Sequence, residues 1–262
     1  MNCGVSTACF YPQLLEKTID VLSKMGVQNL ELFLNTFSEV NPCYVKELEK
    51  QIKENGQSVI ALHPFSCAFE PFMFFTNYDR RFEDALEWYK QYFHAMNILG
   101  ATIFIFHGDR KLGLLEDDLY FERFAKLRDI GKEFDIIVAQ ENVERCKSGD
   151  VHFLQKMIEY LDKDVSLVFD NKQAIRSNID QELFVNKLGK NIVHVHLSDN
   201  NKVHDCLPIG EGTLDVAALM NQLKNLNYNG YFIQEIYSNS IKSRQQFFES
   251  YQNLLKQVSL LT

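Results

Sequence analysis

The chain has 262 residues, 46% of them hydrophobic, with only 12 Gly and 5 Pro, a composition that excludes a low-complexity or largely disordered protein. Its 27 Lys and Arg against 35 Asp and Glu leave a formal charge of −8, which disfavours an electrostatic hold on nucleic acid or anionic lipid. With no apolar run of about 18 residues and no basic leader, neither membrane spanning nor secretion is expected, and six dispersed cysteines without a CxxC pair point to a reduced, cytoplasmic protein.

Short apolar or β-branched runs alternate with longer amphipathic segments, the cadence of parallel strands joined by crossover helices. In chain order the predicted strands are CGVST near residue 7, VQNLELFL ending at Leu34, SVIALH at His63, TIFIFH at His107, IIVAQE at Glu141, VSLVFD at Asp170, IVHVH at His196 and GYFIQE at Glu235. Between them the predicted helices are Leu14 to Met25, Tyr44 to Asn55, Arg80 to Leu99, Leu119 to Phe134, His152 to Leu161, Gln181 to Leu188, Val216 to Leu226 and Ile241 to Val258. A unit recurs about every 33 residues, so the expected fold is an α/β, single-domain (βα)8 TIM barrel over residues 1–262. A doubly wound sheet is the weaker alternative, because no glycine-rich phosphate loop follows the first strand. The longest insert, Ser66 to Asp79, is rich in Phe and Met and is expected to be a lid or a flap packed on the barrel mouth.

Reactive groups of such barrels sit at the carboxyl ends of the strands. Strands three to eight end in His63, His107, Glu141, Asp170, His196 and Glu235. Carboxylates and imidazoles converging in one buried mouth need a compensating cation. Mixed oxygen and nitrogen ligation by Glu141, Asp170, His196 and Glu235 suits one divalent ion, Mn²⁺, Zn²⁺, Co²⁺ or Mg²⁺. His63 and His107, earlier on the rim, are candidates for a second metal shared through Glu141 or for a substrate hydroxyl contact. His194 is expected to point away from His196, toward the helices, and Glu31 to orient a rim group or face the interior. Lys172, Arg176, Lys202 and Arg145 are candidate contacts for an anionic group at the mouth.

The motifs QEN at Gln140 to Asn142, FDN at Phe169 to Asn171, HVHLSDN at His194 to Asn200, PIGEGTLD at Pro208 to Asp215 and QE at Gln234 to Glu235 resemble the xylose isomerase-like TIM barrel superfamily, in particular its sugar phosphate isomerase/epimerase branch. The resemblance runs the length of the chain. It implies that Glu141, Asp170, His196 and Glu235 hold one divalent metal. It also implies that Glu141 and Glu235 are a catalytic acid/base pair, moving a proton between neighbouring carbons or opposite faces of a sugar or sugar phosphate. The implied partner is a small-molecule sugar, not nucleic acid or a membrane, and a homo-oligomer is compatible. An inosose dehydratase-like lyase on the same metal site is the alternative, and a non-catalytic sugar-binding barrel is opposed by the intact glutamates. An AP endonuclease-like DNA repair enzyme fits less well. Gln173 stands where His commonly follows three residues after the Asp, and His204-Asp205-Cys206 replaces an Asp-x-His, so a third ion loses most of its ligands. Gln173 departs from many epimerases as well and is a candidate substrate contact.

Overall fold

Each β-branched and aromatic run forms a strand in the computed structural model, which describes residues 2–260. The strands are β1 Asn2–Ser6, β2 Asn29–Phe33, β3 Ser58–His63, β4 Ile103–Phe106, β5 Ile137–Glu141, β6 Ser166–Asp170, β7 Ile192–Leu197 and β8 Tyr231–Gln234. All neighbours pair in parallel, and β1 pairs with β8, so the eight strands close a barrel in sequence order. The predicted TIM barrel is therefore observed, with strand ends within a residue or so of expectation.

The helices are α1 Leu15–Lys24, α2 Pro42–Glu54, α3 Glu70–Met73, α4 Asp79–Leu99, α5 Asp117–Glu133, α6 Val151–Tyr160, α7 Asn171–Arg176, α8 Gln181–Leu188, α9 Val216–Asn225 and α10 Arg244–Ser259. Eight of them match the predicted segments. The short α3 and α7 were not foreseen, because each lies inside a stretch read as loop. No described helix is long and apolar enough to cross a membrane.

Strand side chains alternate between the barrel interior and the helix layer. Inside, Ala61, Ile103, Ile105, Ala139 and Val168 form a small apolar plug. Outside, Phe74, Tyr89, Tyr92, Phe104 and Phe106 pack edge to face between barrel and helices. Each such pair adds about 0.5–1.5 kcal/mol to the burial itself. The Ser66 to Asp79 insert belongs to this layer. Phe74 and Phe75 are buried, and the Glu70 carboxylate accepts from the backbone of His107 and Gly108, so the insert is a packed flap.

Candidate active site

Two residues beyond four of the five plug residues the same inward face turns polar. Ala61 is followed by His63, Ile105 by His107, Ala139 by Glu141, and Val168 by Asp170. Register then sets them side by side: Asp170 pairs with His196, and Phe106 with Gln140, one step before His107 and Glu141. The plug closes the floor, so the polar groups line the carboxyl-end mouth.

His194 corrects the sequence expectation. It faces the interior, not the helices, because residues two apart on a strand share a face. His194 Nε2 and His196 Nε2 both lie 2.8 Å from Glu31 Oε2, and all three side chains are fully buried. Glu31 meets both of its expected roles, facing the interior and orienting a rim imidazole.

One ligand atom from each of Glu141, Asp170, His196 and Glu235 lies within 4.8 Å of the others. His196 Nδ1 is 3.4 Å from Glu141 Oε1, 3.8 Å from Asp170 Oδ2 and 3.5 Å from Glu235 Oε2, yet it has no hydrogen-bond partner. A buried orphan nitrogen facing three carboxylates, with its ring held through Nε2 by an outer carboxylate, is a donor set that suits a divalent cation. The residues therefore fit such an ion.

The two glutamates differ electrostatically. Burial opposes ionisation of Glu141, but the imidazoles of His107 and His196 outweigh it and hold the carboxyl well below the usual range. Burial pushes Glu235 up, and Lys172 and His196 pull it only part of the way back.

Lys172 is the residue whose place differs most from expectation. It is not a cation at the open mouth: it is 2% exposed, and its ammonium binds Asp170 Oδ2 and, at 3.0 Å, Glu235 Oε2. The cause is α7, whose N-cap is Asp170, with Oδ1 accepting from Gln173 N at 3.0 Å. The signal was present in Asp170-Asn171-Lys172-Gln173, a capping-box pattern that starts a helix at once. Arg176, on the same helix, is committed to Asp205 and to the Tyr237 hydroxyl.

His63 and His107 meet on the other side of Glu141. Their Nε2 atoms are 2.9 Å apart, and His107 Nε2 is 2.7 Å from Glu141 Oε2. Cys67, which the sequence did not single out, joins them within ligand distance. Only its position on the insert could have hinted at it. Arg145 is exposed but reaches His107 Nδ1 at 3.4 Å. Gln173 accepts from Glu144 N at 3.1 Å, linking the ends of β5 and β6. Lys202 is exposed on the loop after β7, outside the buried cluster.

The motif residues beside the ligands build the frame. Gln140 and Gln234 point outward and accept from Tyr120 Oη of α5 and Ser250 Oγ of α10, while the following Glu141 and Glu235 point in. Asn142 clasps the backbone N–H and C=O of Asp170, and Asn171 clasps those of Ser198. Asp199 accepts from the backbone of Asn200, Gly210, Gly212 and Leu214, which ties HLSDN to IGEG. An added Cβ at Gly212 would collide with that carboxylate.

The family model described as xylose isomerase-like TIM barrel matches residues 19–257. An uncharacterized protein of Methanocaldococcus jannaschii is 23% identical, covering 88% of this chain and 82% of its own length. The 3-dehydro-D-guloside 4-epimerase of Escherichia coli is 28% identical over 108 residues, 34% of this chain and 40% of that protein. Among solved structures, a D-tagatose 3-epimerase-like protein superposes with TM-score 0.81 at 20% identity, over 99% of this chain and 98% of its own. The apo 3-keto-D-glucoside 4-epimerase of E. coli gives TM-score 0.78 at 18% identity, over 98% and 99%. At these identities the superpositions establish the fold.

Proposed function

Because this chain belongs to the xylose isomerase-like TIM barrel family, we propose that it is a divalent-metal-dependent isomerase or epimerase of a small ketose or keto-sugar, with Glu141 and Glu235 moving the protons. The observation that carries this reading is the convergence of Glu141, Asp170, His196 and Glu235, one from the end of each of β5 to β8, with ligand atoms within 4.8 Å of one another. These four side chains would hold the ion. When bound, it supplies positive charge that offsets the oxyanion left as a carbon beside a carbonyl loses its proton.

Glu141, held ionised against the effect of burial, is suited to take that proton. Glu235, pushed toward its neutral form, is suited to deliver one. Environments that separate two carboxyls in this way let one site carry a base and an acid. Delivery to the neighbouring carbon is isomerisation, and delivery to the opposite face of the same carbon is epimerisation. His63 and His107 serve here as hydroxyl contacts, and His107 also braces Glu141. A sugar substrate is supported by the epimerase activities carried in the names of the similar proteins. Six free cysteines support a reducing compartment such as the cytoplasm.

The test is incubation with Mn²⁺ in D2O with D-fructose, D-tagatose, D-psicose and 3-keto-glucosides, followed by NMR and mass spectrometry. The expected result is deuterium at one carbon of one substrate and an isomer of otherwise equal mass. A product lighter by one water assigns a dehydratase instead. No exchange across the panel with the ion bound overturns the reading.

A further inference from the structure

The donor set already contains a cation. The Lys172 ammonium binds Asp170 Oδ2 and Glu235 Oε2, the same two oxygens that face His196 Nδ1. A lysine reaches them because Asp170 caps α7, so the second helical residue turns back over the strand ends. Its Nζ also lies 5.4 Å from the centre of the Tyr237 ring, whose residue is 42% exposed. That ring offers the ammonium a second resting place, nearer solvent, by cation–π contact.

We propose that Lys172 is a built-in rival of the divalent ion for Asp170 and Glu235, so that metal enters only when the ammonium turns aside. The inference rests on the donor set proposed above. Two cations sharing the same carboxylate oxygens repel strongly where water is excluded. Asp170 and Glu235 lie buried side by side with the Lys172 ammonium bound to both, and buried charge without a partner is costly. The ammonium thus keeps the mouth formed without an ion, and the ion binds weakly and exchangeably. Nothing in the capping geometry of α7 requires a lysine at this position, since the cap uses the Asp170 carboxylate and the Gln173 backbone.

The test uses the full chain stripped with chelator and titrated with Mn²⁺ alone, by calorimetry and by electron paramagnetic resonance, in wild type and in Lys172→Met, which keeps the length and loses the charge. Mn²⁺ is expected to bind Lys172→Met more tightly by on the order of tenfold or more. The melting temperature of the variant is expected to fall in chelator and to recover with Mn²⁺ by more than wild type gains. Equal or weaker binding in the variant, or no binding in either protein, overturns the proposal. Should the variant not fold, a crystal of wild type grown with Mn²⁺ decides. An anomalous peak with Lys172 turned away from Asp170 supports the rivalry. A peak with the ammonium still on both carboxylates, or no peak, overturns it. Affinity is read without turnover, so exchange activity with unchanged affinity sinks this inference alone. Gained affinity without exchange in either protein sinks the catalytic reading alone.

Discussion

Glu31 Oε2 and His196 Nε2 stand 2.8 Å apart across the barrel interior, a contact that fixes which nitrogen of the imidazole faces the mouth. The carboxylate takes the Nε2–H, and Nδ1 is the ring nitrogen that faces Glu141, Asp170 and Glu235.

Replacing Glu31 by Gln keeps the shape but weakens the hold on that tautomer. Mn²⁺ affinity is expected to fall about 10–100-fold, as for other outer partners of ligating histidines. Competition with a fluorescent chelator measures it, and unchanged affinity would show that His196 needs no such support.

Glu141→Gln and Glu235→Gln each remove one proton carrier while keeping the side-chain size. Solvent exchange into the substrate is expected to slow about 10²–10⁴-fold in each, with the circular dichroism of the barrel retained. An active Glu235→Gln would move the second proton to another group.

Glu70 supplies the pH dependence. Burial pushes its carboxyl from 4.5 up to about 7, against the pull of His107, the Gly108 and His107 N–H groups and Tyr89. The native state therefore keeps a proton that the unfolded chain gives up between these values. That stabilisation is fully present below about pH 4.5 and is lost as pH rises through about 7, amounting to about 3 kcal/mol. Glu70→Gln is expected to flatten the stability profile in this window, as read by urea unfolding at several pH values. Equal slopes in both proteins would assign the dependence elsewhere.

Asn171 tests the frame. Its amide donates to Ser198 C=O at 2.8 Å and accepts from Ser198 N at 2.9 Å, all buried. Asn171→Ala leaves two backbone groups unpaired, and a loss of about 1–3 kcal/mol for each is expected in chemical denaturation. A change below the error of that measurement would show that the clasp is replaced by water.

The barrel and six of its mouth residues were legible in the chain because both signals are local. Strand runs declare themselves by composition, and a polar residue closing an apolar run marks the strand end, as at Glu141 and Asp170. His194 was misplaced although the information was present, since two-residue spacing on β7 dictates a shared face with His196. Lys172 was harder: the capping pattern Asp170 to Gln173 starts a helix, but the reach of its ammonium to Glu235, 63 positions away, depends on barrel closure.

Chain order and periodicity specified which strands exist, where they end and which residues stand on the rim. Only closure of the eight strands set Glu31 against both His194 and His196, brought Cys67 to His63 and His107, and seated Lys172 among the carboxylates. The physical reason is that periodicity gives each side chain a direction but no partner. Partners follow from register between strands and from charge compensation in a mouth closed to water.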